Sequence, residues 1–471
     1  MIESDGLIVF TTNGVYINLG LLSVNNLGLD RKGSWVINDK IPPLIVPGGL
    51  FFVDTTNTIR QLIFSNEIQA YESIEQTIFS AHLFRERTIV SWCYQDGVAP
   101  LIIVTFTDGT WATFTYNFEQ QMRAWTRHDS KYPIEQVEGT GINDRSFFVV
   151  NKDGQRYIEM SLPRRVPVQF LLVNAESDKA VNTAFMDSIK STFTLINDIF
   201  DTGENFIITP VSAGIWDGNL TFTTNASTDF SSSVVGDVFR VFNPIDKSAI
   251  DLTVVTTGTT TLIVSPSESF PPELSTTARV YYTTNVITGL DHLEGEEVSV
   301  MVDGYIVSSP YNDVEEYETL TVTGGEITLP DDLRGAIIHV GRPICADIKT
   351  LNISTVEQSP TLIESLNVNK LYIRVFKSRG LYCANRYPEE FTNGVDGTSV
   401  VGMESLDEAL IPEGGVLVGN KYIDPISKRI EKTLPGNWNS NGQISLRQVD
   451  PYHFEILSII PDITVLNRSD R

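Results

Sequence analysis

Cysteine is scarce in this chain of 471 residues: three thiols, Cys93, Cys345 and Cys383, stand far apart in apolar surroundings. Such spacing excludes a disulfide framework and fits buried free thiols of a protein made in a reducing cytoplasm. Histidine is nearly as rare, with five copies, and neither C-x-x-C nor H-E-x-x-H occurs, so the common zinc motifs are missing. His339 and Cys345, six residues apart, are expected to fill polar core or surface roles rather than to share an ion. Long apolar runs are absent too; none approaches the roughly 18 to 20 residues that cross a bilayer. Met1 to Asp5 lacks the basic start and apolar core of a signal peptide. No G-x-x-x-x-G-K-[ST] phosphate loop exists, and the nearest dinucleotide fingerprint, GTGIND at Gly139–Asp144, lacks its third glycine and a following helix. The sequence therefore nominates no catalytic, cofactor-binding or metal-binding residue, and no cofactor is expected.

Positive charge is the other shortage. Thirty-four basic residues face 59 acidic ones, a formal net charge of −25. A protein that grips the phosphate backbone gains from basic patches and counterion release, so the balance argues against that class. It fits either a wall that DNA passes without sticking or a surface acidic for solubility alone.

What the chain has in abundance is turn punctuation between β-branched and aromatic runs. Asp-Gly recurs at Asp5, Asp96, Asp108, Asp153, Asp217, Asp303 and Asp396, and Asn-Gly at Asn13, Asn393 and Asn441. The fold class this implies is all-β, with short hairpins throughout. In residues 1–163 the turns at Asp108 and Asp153 are 45 residues apart, close to the roughly 40 to 50 residues of a four-stranded propeller blade, so a β-propeller-like hairpin domain is expected there. Between Leu101–Thr107 and Thr110–Tyr116, Asp108-Gly109 is expected to supply the positive φ angles of a two-residue hairpin turn. Residues 164–204 read as a linker with one amphipathic helix, because Phe185, Ile189, Phe193, Ile196 and Phe200 recur at helical spacing. Residues 205–284 have the short strands of an inserted small β-barrel or sandwich, with a solvated Ser/Thr loop at Ala226–Ser233. Residues 285–345 form a further small β domain, with acidic Asp313–Glu318 in a loop. Residues 346–471 form a C-terminal β region, expected to return to the propeller-like domain, with interface loops at Tyr387–Gly402 and Leu434–Gly442.

The order of several islands resembles one family. A strand ending in Asp108-Gly109, a second ending in Thr115-Tyr116, then Glu119-Gln120-Gln121, Trp125 and Arg127-His128 lead to GQRYIE at Gly154–Glu159. Downstream come TGLDHLEGEEVSVMVDGYIV (Thr288–Val307), GGEITLP (Gly324–Pro330), VGRPICADIKTL (Val340–Leu351) and RQVDPYHFEILSIIPDI (Arg447–Ile463). In motif, order and spacing these resemble the tail nozzle proteins, or tubular protein B, of short-tailed bacteriophages (podoviruses). The resemblance implies a structural virion protein with no enzymatic activity: a homo-oligomeric, hexameric ring at the end of a short non-contractile viral tail. Such a ring extends the DNA channel below portal and adaptor, retains the packaged genome and conducts it during ejection. Its implied partners are the tail adaptor protein and tail fibre or tailspike proteins, with double-stranded DNA passing without sequence-specific binding. A six-fold ring would surround its axis with six times the charge of one chain. Family members carry more sequence ahead of the first island, so a neighbouring protein is expected to supply what precedes Met1 here.

Two other classes compete. A glycan hydrolase needs two acids about 5 to 10 Å apart, and Asp291, Glu294, Glu296, Glu297 and Asp303 lie close in sequence beside turns. Acids beside glycines on a β surface more often form turns or stay solvated. A receptor- or glycan-binding module needs exposed aromatics, and Trp125, Arg127 and His128 could stack a sugar or base. The structural alternative is that Trp125 plugs a gap between sheets while Arg127 pairs with Glu119 or Asp129.

Overall fold

The computed structural model describes residues 2–3, 7–18, 28–96, 100–117, 122–139, 145–161, 184–197, 206–224, 230, 233–242, 249–275, 279–314, 317–330, 333–352, 366–385, 400–406, 426–436, 438 and 442–465. The chain is mostly β. Among these residues the α-helical stretch is the single turn Ala81–Phe84, and no helix is long and apolar enough to cross a membrane. Two compact units divide it, Met1–Arg165 and Val166–Arg471.

In the first unit fifteen strands form four antiparallel meanders in chain order. The first sheet holds β1 (Ile2–Glu3), β2 (Leu7–Thr11), β3 (Gly14–Asn18) and β4 (Asp30–Gly33), and the second β5 (Leu44–Val46), β6 (Gly49–Val53), β7 (Ile59–Ser65) and β8 (Ala70–Glu75). The third holds β9 (Ile89–Gln95), β10 (Leu101–Phe106), β11 (Trp111–Asn117) and β12 (Met122–His128), and the fourth β13 (Ile134–Gly139), β14 (Ser146–Lys152) and β15 (Gln155–Met160). The last three sheets begin at Leu44, Ile89 and Ile134, so the 45-residue recurrence is a sheet-to-sheet repeat.

Each sheet packs face to face on the next. Ile8, Val15 and Ile17 meet Leu50, Phe52 and Leu62. Phe51, Val53 and Ile59 meet Ile102, Val104 and Phe114. Cys93 and Ile103 meet Ile134, Val137, Phe148 and Val150. Strand β6 reads as an unbroken apolar run, Leu50-Phe51-Phe52-Val53, because alternate residues serve the cores on its two sides. Meanders stacked in chain order are the packing a propeller uses. Buried Gln61 links two sheets, its Nε2 donating to the Tyr116 hydroxyl at 2.7 Å while its Oε1 accepts from Gln76 Nε2 at 2.9 Å.

The Asp108-Gly109 turn departs from the two-residue expectation. Residues 107–110 form a four-residue loop between β10 and β11, and only Gly109 has positive φ, +81°. Asp108 Oδ1 accepts from the Thr110 amide and hydroxyl at 3.1 and 2.6 Å, which lets a side chain replace the second left-handed residue. The two-residue form does occur where both residues are left-handed: Asp153-Gly154 joins Lys152 to Gln155, and Asp303-Gly304 joins Val302 to Tyr305.

The second unit opens with the largest correction. The amphipathic helix predicted over Phe185–Phe200 is instead a strand, β16 (Asp187–Asn197). A spacing of four fits both periods, since residues four apart share a helix face and also a strand face. Only the step of three from Phe193 to Ile196 distinguishes them. The strand carries a register shift between Leu195 and Asn197 against its neighbour. Tertiary pairing on both sides overrides the local pattern.

That strand also joins two regions expected to be separate. After it come β17 (Phe206–Pro210), β18 (Leu220–Thr224), β19 (Val238–Phe242), β20 (Ala249–Thr256), β21 (Thr261–Pro266) and β22 (Arg279–Tyr282), around a core that includes Phe222, Phe239, Leu252 and Val264. Then follow β23 (Val286–Thr288), β24 (Glu297–Val302), β25 (Tyr305–Ser308), β26 (Leu320–Thr321), β27 (Glu326–Thr328) and β28 (Ile337–Arg342), with a core that includes Leu293, Val300, Ile338 and Val340. β16 pairs with β28 at its start and β22 towards its end, so both regions share one eleven-stranded sheet.

The C-terminal strands are β29 (Ala346–Lys349), β30 (Leu366–Ser378), β31 (Leu381–Ala384), β32 (Glu404–Ser405), β33 (Ile426–Thr433), β34 (Ser445–Gln448) and β35 (Ile456–Val465). They form the sheets β29-β34-β31-β32 and β33-β30-β35. The expected return to the first domain has no strand pairing behind it among the described residues; these strands pair with one another and belong to the second unit.

Candidate functional site

The acids around β24 are the sequence's candidates for paired-carboxylate chemistry, and the structure gives Glu294, Glu296 and Asp303 separate structural partners. Glu294 accepts from the backbone amides of Gly324 and Gly325 at 2.9 and 2.7 Å, which holds its carboxyl below the usual range. A Cβ on Gly325, φ +71°, would lie 2.7 Å from Asp291 Oδ1, so this turn needs glycine. Glu296 is buried and accepts from Arg342 Nε at 2.6 Å, while the same guanidinium donates to Ser188 Oγ at 2.6 Å. Glu297 is exposed at the start of β24, opposite Thr321.

Asp303 is the most constrained of the five. Buried at a left-handed turn position, it accepts from the Ala336 and Ile337 amides and from Arg240, which also makes a two-point pair with Asp251 at 2.7 and 2.8 Å. Burial raises its pKa even against the pull of Arg240 and the two amides. The turn-forming expectation holds for Glu294 and for Asp303, which opens the turn with Gly304. Glu296 and Asp303 also make buried ion pairs, which the sequence did not signal, because their arginines lie 46 and 63 residues away.

The aromatic and basic cluster does not converge. Trp125 stacks on Phe114 with centroids 4.6 Å apart, meets Phe84 edge-on at 4.9 Å, and donates from Nε1 to the Gln76 carbonyl at 2.9 Å. It fills the gap between the second and third sheets. Arg127 pairs with Asp129 at 2.8 Å; the other proposed partner, Glu119, lies outside the described residues. His128 projects to the opposite strand face, stacked on Trp111 at 4.0 Å and 2.9 Å from Thr113 Oγ1. Burial lowers its pKa to about 4, which leaves it neutral near pH 7.

His339 and Cys345 each have a different partner. His339 Nδ1 lies 2.7 Å from Ser191 Oγ, its Nε2 is buried without a hydrogen-bond partner, and burial lowers its pKa to about 4. Cys345 is half-buried beside Asp347, whereas Cys93 and Cys383 are fully buried; all three thiols are pushed up to about 12, mainly by burial. No group of three or more metal-ligating side chains occurs among the described residues. Residues 140–144 of the fingerprint-like stretch and the loop residues 387–399 lie outside them, as do 225–229 and 231–232 of the Ser/Thr loop. No protein-family model and no curated protein matches the chain.

Proposed function

We propose that this chain is one protomer of a tail nozzle ring in a short-tailed bacteriophage, synthesised in the bacterial cytoplasm and carried in the virion. The observation that carries the reading is the ordered series of islands from Leu101 to Ile463 that resembles that family. Their placement in the fold is consistent with it: the islands fall on β10 to β12, β15, β24 and β25, β27 to β29, and β34 and β35, all strand-and-turn elements. The protomer's task is mechanical and electrostatic. Six copies enclose an axial channel below portal and adaptor, hold back the genome, and let it pass; adaptor and fibre or tailspike proteins bind the outer loops.

Non-enzymatic action is part of the proposal. It is supported by the commitment of Glu294, Glu296 and Asp303 to backbone amides or arginines. Native mass spectrometry of the assembled particle tests the reading: a closed ring gives six times the 52.4 kDa chain mass. A solitary subunit in purified virions overturns it, as does release of sugar from host envelope by the isolated protein.

A further inference from the structure

We propose that the outward face of the β33-β30-β35 sheet, centred on Arg374 and Arg429, is a contact site for the phosphate backbone of duplex DNA. In a chain with a net charge of −25, strand register puts Lys370, Arg374 and Arg429 on this face together with Glu431 and Asp462. One face is core: Leu371, Ile373, Val375 and Ile430 are buried. The alternate residues face solvent, and strand register places Arg374 directly opposite Arg429. Side chains so paired have Cβ atoms about 4.5 to 5.5 Å apart, and like charges there are destabilising. Lys370, on the same face, is neutralised by Glu431 at 2.6 Å. Both arginines are exposed, and neither forms an ion pair among the described residues.

An aromatic ring fixes how the Arg429 guanidinium is presented. Arg429 lies over the Tyr372 ring of β30, 4.4 Å from its centroid, and just past the end of β30 Arg379 lies over Tyr452 at 4.4 Å. Stacking occupies the flat face of a guanidinium and leaves its edge N–H donors free, the geometry that engages two oxygens of one phosphate. Arg429 held in this way and Arg374 opposite it on the adjacent strand can straddle one phosphodiester, and their mutual repulsion is relieved when an anion lies between them. Rigid strands hold this arrangement without ordering a loop. Among the described residues the face carries no base-reading polar array, so the contact is independent of sequence.

The choice of DNA as the polyanion rests on the proposed nozzle reading, in which duplex DNA slides past a largely repulsive wall. A few phosphate contacts would retain the genome weakly without trapping it. The test is fluorescence anisotropy of the full-length protein with a labelled duplex of mixed sequence at low salt. The wild type should bind, and the double variant Arg374→Gln/Arg429→Gln should weaken binding at least tenfold and lower the slope of log affinity against log salt by about 0.9, the value for one lost phosphate contact. Lys370→Gln should change little, and an unchanged unfolding midpoint shows that the double variant remains folded. No binding by the wild type, or equal binding by the double variant, overturns the assignment. Equal competition by poly-glutamate of matched charge also overturns it, because the face would then recognise an acidic protein. A six-fold particle without DNA affinity sinks this assignment alone, whereas a DNA-binding chain that never forms a ring sinks the nozzle reading.

Discussion

At the scale of the residue, the buried ion pairs have the clearest energetic consequence. Arg240 bridges Asp251 and Asp303, and Asp303 has almost no access to water that could replace the guanidinium. Arg240→Met leaves a buried carboxylate held by two amides alone, and breaking such a pair costs about 3 to 5 kcal/mol. The double variant Arg240→Met/Asp303→Asn should recover part of that loss, because the stranded charge is removed; urea unfolding of the two variants measures the difference. His339 gives a prediction in pH. Its folded pKa, about 4, lies below the unfolded value of about 6.5, so the folded state binds its proton less readily. The resulting stability is present above pH 6.5 and is lost as pH falls towards 4, on the order of 3 kcal/mol in all. Replacement of His339 by Gln should reduce the fall of the unfolding midpoint between pH 7 and 4.5, with His128, whose pKa burial also lowers to about 4, supplying the rest. An unchanged pH dependence would rule out His339 as its source.

At the scale of the element, what was legible depended on whether a signal was local. Hairpins announce themselves through Asp-Gly pairs and β-branched runs, and the Asp108-to-Asp153 spacing exposed the 45-residue repeat because both turns join the second and third strands of their sheets. β16 was misread because residues spaced by four carry no information on period, and the pairing that decides between helix and strand comes from β22 and β28, which lie far along the chain. Arg342 and Arg240 were missed as partners of Glu296 and Asp303 for the same reason. The opposed arginines on β30 and β33 become visible only once register is known. Turns also differ in what they demand of glycine. A Cβ on Gly109, φ +81°, would lie 2.5 Å from Pro133 Cβ, whereas one on Gly154, φ +88°, would meet nothing within 4 Å. Gly154→Ala should therefore cost only the left-handed backbone penalty, roughly 1 kcal/mol. Gly109→Ala adds a clash between two sheets and should cost at least about 1 kcal/mol more. Equal urea midpoints for the two variants would show that the Pro133 contact yields without penalty.

At the scale of the whole molecule, charge sets two opposing responses to salt. Folding concentrates 59 acidic residues against 34 basic ones, and self-repulsion of that excess destabilises the compact state. In the proposed ring, bringing chains together adds repulsion between protomers. Salt screens both effects over a Debye length that falls from about 30 Å at 0.01 M to about 8 Å at 0.15 M. The thermal midpoint and the ring fraction should therefore rise together over that range. A contact through Arg374 and Arg429 responds in the opposite sense, since each phosphate bound releases counterions and added salt reverses that gain. Salt should thus strengthen the proposed ring and weaken its proposed contact with DNA. Differential scanning calorimetry and native mass spectrometry across this range follow the first effect. A midpoint that falls as salt rises would mean that specific ion pairs such as Arg342–Glu296 and Arg447–Asp347 outweigh the net repulsion, and the acidic excess would then have no mechanical part in assembly.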